Sequence, residues 1–221
     1  MITTQSYSGV LVAVEGLDGS GKSTQLSLLY RWLIQKYSCV VLTEWNSSPV
    51  LRDIIRREKK AKRLSPTLFS TLHCADFAER YDRIIYPVLQ SGGIVLCDRY
   101  IFTAFVRDVA RGCDPVWIRK LYSFACHPDL TMYFRVPQNI AQQRVLSRRS
   151  RPKWYEAGMD INLSADRIES FSLFQQRVSD EYDNVISEYS LNEIDATLPP
   201  KEQQNLFRAT LSNTFKLKGF E

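Results

Sequence analysis

Gly16-Leu17-Asp18-Gly19-Ser20-Gly21-Lys22-Ser23-Thr24 decides how this chain is read. An apolar run, Val10-Leu11-Val12-Ala13-Val14, precedes it, and an amphipathic run over residues 25–36 follows. Strand, glycine-rich turn and helix form the setting in which G-x-x-x-x-G-K-[ST] is a phosphate-binding loop. Gly16, Gly19 and Gly21 let the backbone curl so that its N–H groups converge on a polyphosphate. The helix opening at Lys22 turns its unpaired N–H groups and positive dipole end toward the same anion. In that setting Lys22 reaches the β- and γ-phosphates of ATP, and the Ser23 hydroxyl ligates Mg²⁺. Leu17, Asp18, Ser20 and Thr24 complete the ATP-binding loop.

Working outward, short apolar runs alternate with helical patterns. Residues 39–43 read as a continuous apolar strand of the kind buried in a parallel sheet. Further strands are expected at 94–97, 130–134 and 191–195. Between them lie helices at 22–36, 50–63, 65–89, 101–111, 115–125, 137–148, 166–189 and 200–215. Ser65-Pro66 is an N-cap and first-turn pair, Gly92-Gly93 ends the helix it opens, and Pro87 bends that helix. Ser164 or Asp166 caps the helix to residue 189. Such alternation predicts an α/β fold: a five-stranded parallel sheet flanked by helices on both faces. Ligands of such sheets lie beyond the strands' carboxyl ends, where Glu15, Glu44, Asp98, Arg135 and Asp195 gather.

Composition narrows the function. At 221 residues the chain reads as one domain. A net charge of +5 suits polyanionic small substrates and is too weak to argue for nucleic acid. No apolar run approaches the ~18 residues of a membrane span, and residues 1–8 are polar without a signal pattern. Five scattered cysteines without C-x-x-C spacing read as reduced thiols, giving a cytoplasmic expectation. With only His73 and His127, a histidine-based metal site is not expected.

The strand at 94–97 ends Cys97-Asp98-Arg99. Asp98 can hold Mg²⁺ or its waters, but Arg99 is a cation where a water-activating ATPase would carry a base. A cation there suits a second anion, the acceptor phosphate of a phosphotransfer. Arginines also recur where the chain returns to the rim, at 52, 56, 99, 144, 148, 149 and 151. Phosphoryl transfer is mostly positioning and charge neutralisation, so this is its expected equipment.

Val12-Ala13-Val14-Glu15-Gly16-Leu17-Asp18-Gly19-Ser20-Gly21-Lys22-Ser23-Thr24-Gln25 resembles the opening of thymidylate kinases. So do Asp98-Arg99-Tyr100, the arginine-rich stretch after it, Asp166-Arg167-Ile168-Glu169 and Ile194-Asp195-Ala196-Thr197. The resemblance implies a P-loop kinase fold over residues 1–221 with a mobile lid at about 146–165. It implies transfer of the ATP γ-phosphate to dTMP with Mg²⁺, and a homodimer. Carried over by position, Asp18 meets the acceptor's 3′-hydroxyl, Glu44 and Trp45 lie in the acceptor-side loop, and Asp98 serves the metal. Arg99 meets the acceptor phosphate, Arg148, Arg149 or Arg151 caps the transferring group, and Arg144 with the Ala196-Thr197 backbone meets the donor. His73 and Phe77 match the family's base-stacking aromatic and its arginine, and Arg107-Asp108 matches a Tyr-Gln pair. The family's Glu-Pro-Gly-Gly-Thr is here Glu44-Trp45-Asn46-Ser47-Ser48. These departures fall on the base-reading positions, so fold and reaction transfer better than the choice of base.

Plainer readings stand beside these. Asp98 and Arg99 could form a surface ion pair. Residues 52–63 could form a solvated basic helix face, with Arg52 and Arg56 open between phosphate contact and solvent. Phe69 reads as core, while Phe77 and Trp45 stay open between core and base stacking. His73 reads as a buried, hydrogen-bonded residue, and Glu15 as structural, orienting the loop. A kinase for another nucleoside monophosphate remains open. So does one for a nucleoside, with Glu44 as base. A nucleotide-binding regulatory module and a nucleic-acid-stimulated ATPase are the readings from other classes.

Overall fold

The structure, a computed structural model, describes residues 7–220. Five parallel strands form one sheet in the order β2-β3-β1-β4-β5. They are β1 (Val10–Glu15), β2 (Val40–Glu44), β3 (Ile94–Asp98), β4 (Leu130–Arg135) and β5 (Asn192–Asp195). Strand β1 is central, and all six of its residues are buried. That explains its unbroken apolar sequence: a middle strand of a parallel sheet is covered by helices on both faces. Strand β2 differs from its expectation. It is an edge strand with half-exposed valines and Leu42 42% exposed, because it has one neighbour and less helix cover.

Nine α-helices are described: α1 (Lys22–Leu33), α2 (Arg52–Ala61), α3 (Pro66–Arg80), α4 (Tyr86–Gln90), α5 (Ile101–Arg107), α6 (Pro115–Leu121), α7 (Gln138–Leu146), α8 (Arg167–Tyr189) and α9 (Pro200–Leu217). Several of their starts are capped by side chains, two of them as expected. The Ser65 side chain accepts from the Leu68 amide, Asp114 from Trp117, and Asp166 from Ile168 and Glu169. Asp166, rather than Ser164, is thus the cap of α8. The bend expected at Pro87 takes the form of a π-helical turn, Tyr81–Ile85, joining α3 to α4. Proline lacks the N–H of an α-helical ladder, and a widened turn absorbs that loss.

Register sets the site. Val14 and Glu44 both lie opposite Asp98, Glu15 opposite Tyr133, and Arg135 opposite Asp195. All five strand ends are therefore level, and the loops leaving them share one rim. Beside the rim, a buried ion pair on α3 anchors the loop after β2. Arg80 is fully buried, lies 3.5 Å from Asp76 and donates to Thr43 Oγ1 at 3.0 Å; Asp76 accepts from the Ser48 amide at 2.9 Å.

Candidate active site

The loop between β1 and α1 turns through three glycines of positive φ, Gly16 (148°), Gly19 (89°) and Gly21 (91°). Gly19 is constrained twice. A Cβ there would lie 2.4 Å from the Ala141 carbonyl oxygen of α7, and its φ disfavours any L side chain. Gly19→Ala is expected to lower the melting temperature by roughly 3–10 °C and to weaken ATP binding, read by thermal denaturation with and without nucleotide. Lys22 curls back over the loop, buried, its Nζ donating to the Leu17 carbonyl at 3.3 Å. Burial, seconded by the Arg99 charge, pushes its ammonium down to about 8 against the pull of Asp18 and Asp98. The Ser20 hydroxyl is buried in the same loop without a hydrogen-bond partner among the described residues.

Asp18 links this loop to the end of β3. Its carboxylate accepts from Arg99 at 2.6 Å and from Arg107 of α5 at 2.7 Å. Burial alone would raise the Asp18 carboxyl, but Arg107, Arg99 and Lys22 outweigh it and hold the group below the ordinary carboxylate range. Arg99 sits at φ 73°, a left-handed backbone that a non-glycine residue adopts only under constraint. Glu15 supplies that constraint. Fully buried, it accepts from the Tyr100 amide (2.8 Å), the Thr103 amide (3.1 Å), the Thr103 hydroxyl (2.6 Å) and the Tyr182 hydroxyl (2.9 Å). Glu15 therefore orients the turn carrying Arg99 and the start of α5, rather than the glycine loop alone.

Beyond Asp18 and Arg99 opens a cavity of about 820 Å³. Arg52, Arg56, Lys59 and Lys60 of α2 line one side, Phe69 and His73 of α3 another. Arg107, Asp108 and Arg111 come from α5 and the turn after it, and Lys153 to Glu156 from the segment after α7. Trp45 and Asn46 close it on the side of β2.

Of the acceptor residues expected from sequence, Asp18, Trp45, Arg52, Arg56, His73, Arg99, Arg107 and Asp108 line this cavity. Glu44 and Phe77 do not. Glu44 is exposed at the end of the edge strand. Phe77 is fully buried among Trp45, Tyr81, Tyr100, Tyr122 and Phe124. Each four-residue step along a helix advances about 40°, so two steps from Phe69 carry Phe77 off the cavity face and into the core. Phe69 is buried as expected, in a small apolar cluster with Leu64 and Tyr155, and its ring also lines the cavity, stacked on His73 at 4.1 Å. Arg144 donates to the Gly19 and Ala196 carbonyls at 3.3–3.4 Å, so the loop and the end of β5 are tied together. Thr197 caps back onto Asp195. Arg149 pairs with Glu156, whereas Arg148 and Arg151 are exposed without an ion pair among the described residues. Ser23 is exposed and Asp98 half-buried, and neither side-chain oxygen is engaged by another described residue.

The segment expected as a lid is folded against the body here. Tyr155 is buried, its hydroxyl accepts from the Leu64 amide at 3.0 Å, and its ring stacks on Phe69 at 5.4 Å. Arg111 pairs with Asp160 at 3.0 Å, donates to the Tyr155 carbonyl and lies over the rings of Phe69 and Phe174. Sequence reasoning passed over Arg111, Tyr155 and Lys59. Lys59 sits inside a run of basic residues, and only the α3 packing distinguishes it from its solvated neighbours.

Lys59 Nζ lies 2.9 Å from His73 Nε2, and His73 Nδ1 lies 2.8 Å from the Phe69 carbonyl oxygen. A carbonyl only accepts, so Nδ1 carries the proton and Nε2 accepts from the ammonium. Burial, then the Lys59 charge, hold the imidazole well below its ordinary value, which keeps it neutral. Burial, with Arg111 and Arg107, likewise pushes Lys59 down to about 7 from 10.5. Between those two values the unfolded chain binds more protons at this site than the native protein does. Native stability from Lys59 therefore rises with pH from about 7 toward 10. Denaturant titrations across that window are expected to show a flatter stability–pH slope in Lys59→Met than in the wild type.

A loop shaped for polyphosphate and a cavity whose lining includes eight lysines and arginines thus share one wall, the Asp18–Arg99 pair, so that two anionic molecules can meet end to end. That arrangement defines a nucleotide-dependent phosphotransferase on a P-loop α/β fold. Comparison narrows the class: the family model described as thymidylate kinase matches residues 14–206. The chain is 44% identical over 197 residues to the probable thymidylate kinase 2 of Saccharolobus solfataricus, covering 89% of this chain and 92% of that one. It is 35% identical to the probable thymidylate kinase of Thermococcus gammatolerans, covering 63% of this chain and 72% of the relative. With the corresponding protein of Pyrococcus horikoshii it shares 36% identity, at 63% and 71% coverage. The chain belongs to the thymidylate kinase family, and it is a nucleoside monophosphate kinase. Among the described residues, no helix is long and apolar enough to cross a membrane.

Proposed function

We propose that the protein transfers the γ-phosphoryl group of ATP to the phosphate of dTMP, giving ADP and dTDP, with the site residues in the following roles. Lys22 and the amides of the 16–24 loop hold the donor phosphates. Arg99 holds the acceptor phosphate, and Asp18, fixed by Arg99 and Arg107, faces the acceptor sugar. Arg144, between the loop and Ala196, borders the donor base. The acceptor's phosphate oxygen is already ionised at neutral pH, so no strong general base is needed. One observation carries this assignment: the Arg99 guanidinium lies 2.6 Å from Asp18 of the donor loop and also on the cavity wall. Glu44, the base a nucleoside acceptor would require, stands outside that wall.

The family implies Mg²⁺. Ser23 and Asp98 fit it, since they offer oxygen donors alone and too few to replace the waters and phosphate oxygens that Mg²⁺ keeps. A bound Mg²⁺ supplies charge neutralisation at the β- and γ-phosphate oxygens. Arg148, Arg149 and Arg151, on the segment over residues 146–165, cover the transferring group when that segment closes as a lid. Arg148 and Arg151 have no ion pair to break among the described residues; Arg149 would exchange Glu156 for phosphate. Assembly as a homodimer and a cytoplasmic location belong to the same proposal. Leu68 on α3 and Val116 on α6 stand in solvent, and the five cysteines are free thiols. Light scattering of the purified protein reads the assembly.

An acceptor screen with ATP and Mg²⁺, following ADP release, tests the function. dTMP is expected to be the best substrate, Arg99→Ala to abolish acceptor-dependent release, and Glu44→Gln to leave it near wild type. Turnover of thymidine that depends on Glu44 and ignores Arg99 would reverse the assignment.

A further inference from the structure

Tyr182 of α8 lies outside the cavity lining, yet its hydroxyl reaches Arg99. Its ring is fully buried and packed on Tyr133 at a centroid distance of 4.8 Å, with Val178 and Val185 of the same helix buried one turn to either side. Packing needs only the ring, which a phenylalanine would supply. The hydroxyl does something more: it lies 2.9 Å from Glu15 Oε2 and 3.4 Å from Arg99 Nη1. A guanidinium only donates, so the phenol oxygen accepts from Arg99 and its single proton goes to Glu15. Burial, seconded by the Glu15 charge, pushes the phenol up, so it stays protonated. Thr103 repeats the arrangement from α5. Its hydroxyl accepts from Arg99 Nη1 at 3.2 Å and donates to Glu15 Oε2 at 2.6 Å.

Two hydroxyls thus bridge Glu15 Oε2 and Arg99 Nη1, each giving its proton to the carboxylate and a lone pair to the guanidinium. A hydroxyl that donates to an anion is the better acceptor for it, so each bridge strengthens the hold on Arg99. Asp18 takes the other terminal nitrogen, Nη2, at 2.6 Å. Nε has no hydrogen-bond partner among the described residues, so a donor is left over for an oxyanion. A flexible side chain fixed before its substrate arrives loses less freedom on meeting it. We propose that Tyr182 is a positioning residue for the phosphoryl transfer: its hydroxyl, bridging Glu15 and Arg99, holds the Arg99 guanidinium where the acceptor phosphate binds. Tyr182 touches no substrate and acts through Arg99. This role rests on the assignment of Arg99 to the acceptor phosphate made above.

The test compares wild type, Tyr182→Phe and Arg99→Ala. Calorimetry gives their affinities for dTMP, thymidine and ATP, and steady-state kinetics give kcat and KM with dTMP. Tyr182→Phe is expected to weaken dTMP binding roughly three- to thirtyfold, the loss of one long hydrogen bond to a charged group. Thymidine, which lacks the phosphate, and ATP are expected to bind as they do to wild type. The affinity for dTMP relative to those for thymidine and ATP is the deciding quantity, because a smaller folded fraction weakens every apparent affinity alike and cancels. The kcat/KM for dTMP is expected to fall by at least the same factor, with the KM for ATP unchanged. A Tyr182→Phe protein that loses affinity for all three ligands in equal measure has merely loosened, and that result overturns the role. Wild-type dTMP affinity and turnover in Tyr182→Phe, with both lost in Arg99→Ala, would overturn it too while the acceptor assignment stands. If Arg99→Ala itself keeps wild-type dTMP affinity and turnover, Arg99 does not meet the acceptor phosphate, and the acceptor assignment falls together with the role of Tyr182.

Discussion

Lys22→Ala is expected to cut turnover by roughly a hundred- to a thousandfold or more while leaving the fold intact. The loss follows from what the ammonium does in each state. Without nucleotide it makes one hydrogen bond, to the Leu17 carbonyl, and burial holds its pKa down to about 8. Removing it therefore relieves a desolvated cation and sacrifices little structure. When a polyphosphate occupies the loop, the same ammonium meets the charge that builds on the transferring group, inside a site that excludes water. Preorganised donors in such sites are worth about 2.7–4 kcal/mol each in turnover. The measurements are kcat with dTMP and the melting temperature of the ligand-free variant. Wild-type turnover from a folded Lys22→Ala protein would remove the loop from the chemistry.

Glu15→Ala is expected to be the most damaging single change to stability, at about 3–5 kcal/mol, and to lose acceptor-dependent turnover as well. Four donors converge on this carboxylate, two of them backbone amides at the start of α5. Removing it leaves all four buried without that acceptor. It also withdraws one counter-charge from Arg99, leaving Asp18 and the Arg99 amide's bond to the Val14 carbonyl to hold its left-handed turn. Glu15→Gln, which keeps the shape but turns an amide toward donors, should fall between wild type and alanine. Urea unfolding gives the stability, and the KM for dTMP reports whether Arg99 still faces the acceptor. A Glu15→Ala protein within about 1 kcal/mol of wild type would mean that the Arg99 turn is held by something else.

Local patterns carried far in this chain because they answer to local physics. Three glycines in the loop that ends Gly-Lys-Ser can serve few purposes other than a tight anion loop, and their positive φ values follow from that. The caps at Ser65, Asp114 and Asp166 needed only the next three residues to act. The unbroken apolar run of β1 required a central strand. Strand β2 carried a similar run yet lies at the edge, since strand order depends on which helices cover which face. Neither is written in five residues.

The acceptor side shows the same division more sharply. The sequence by itself determined a parallel sheet with a phosphate loop, an Asp98-Arg99 strand end facing it, and a supply of cations on the rim. Only the tertiary structure decided which cations face inward. Lys59 and Lys60 are adjacent in one basic run and both border the cavity, but only Lys59 meets His73 across the α2–α3 contact. Phe69 and Phe77 are two buried phenylalanines on one helix, and a drift of about 40° per four residues leaves only the first on the cavity wall. A side chain's direction in space depends on helix phase and on the neighbour packed against it, and both are settled by contacts between residues far apart in the chain.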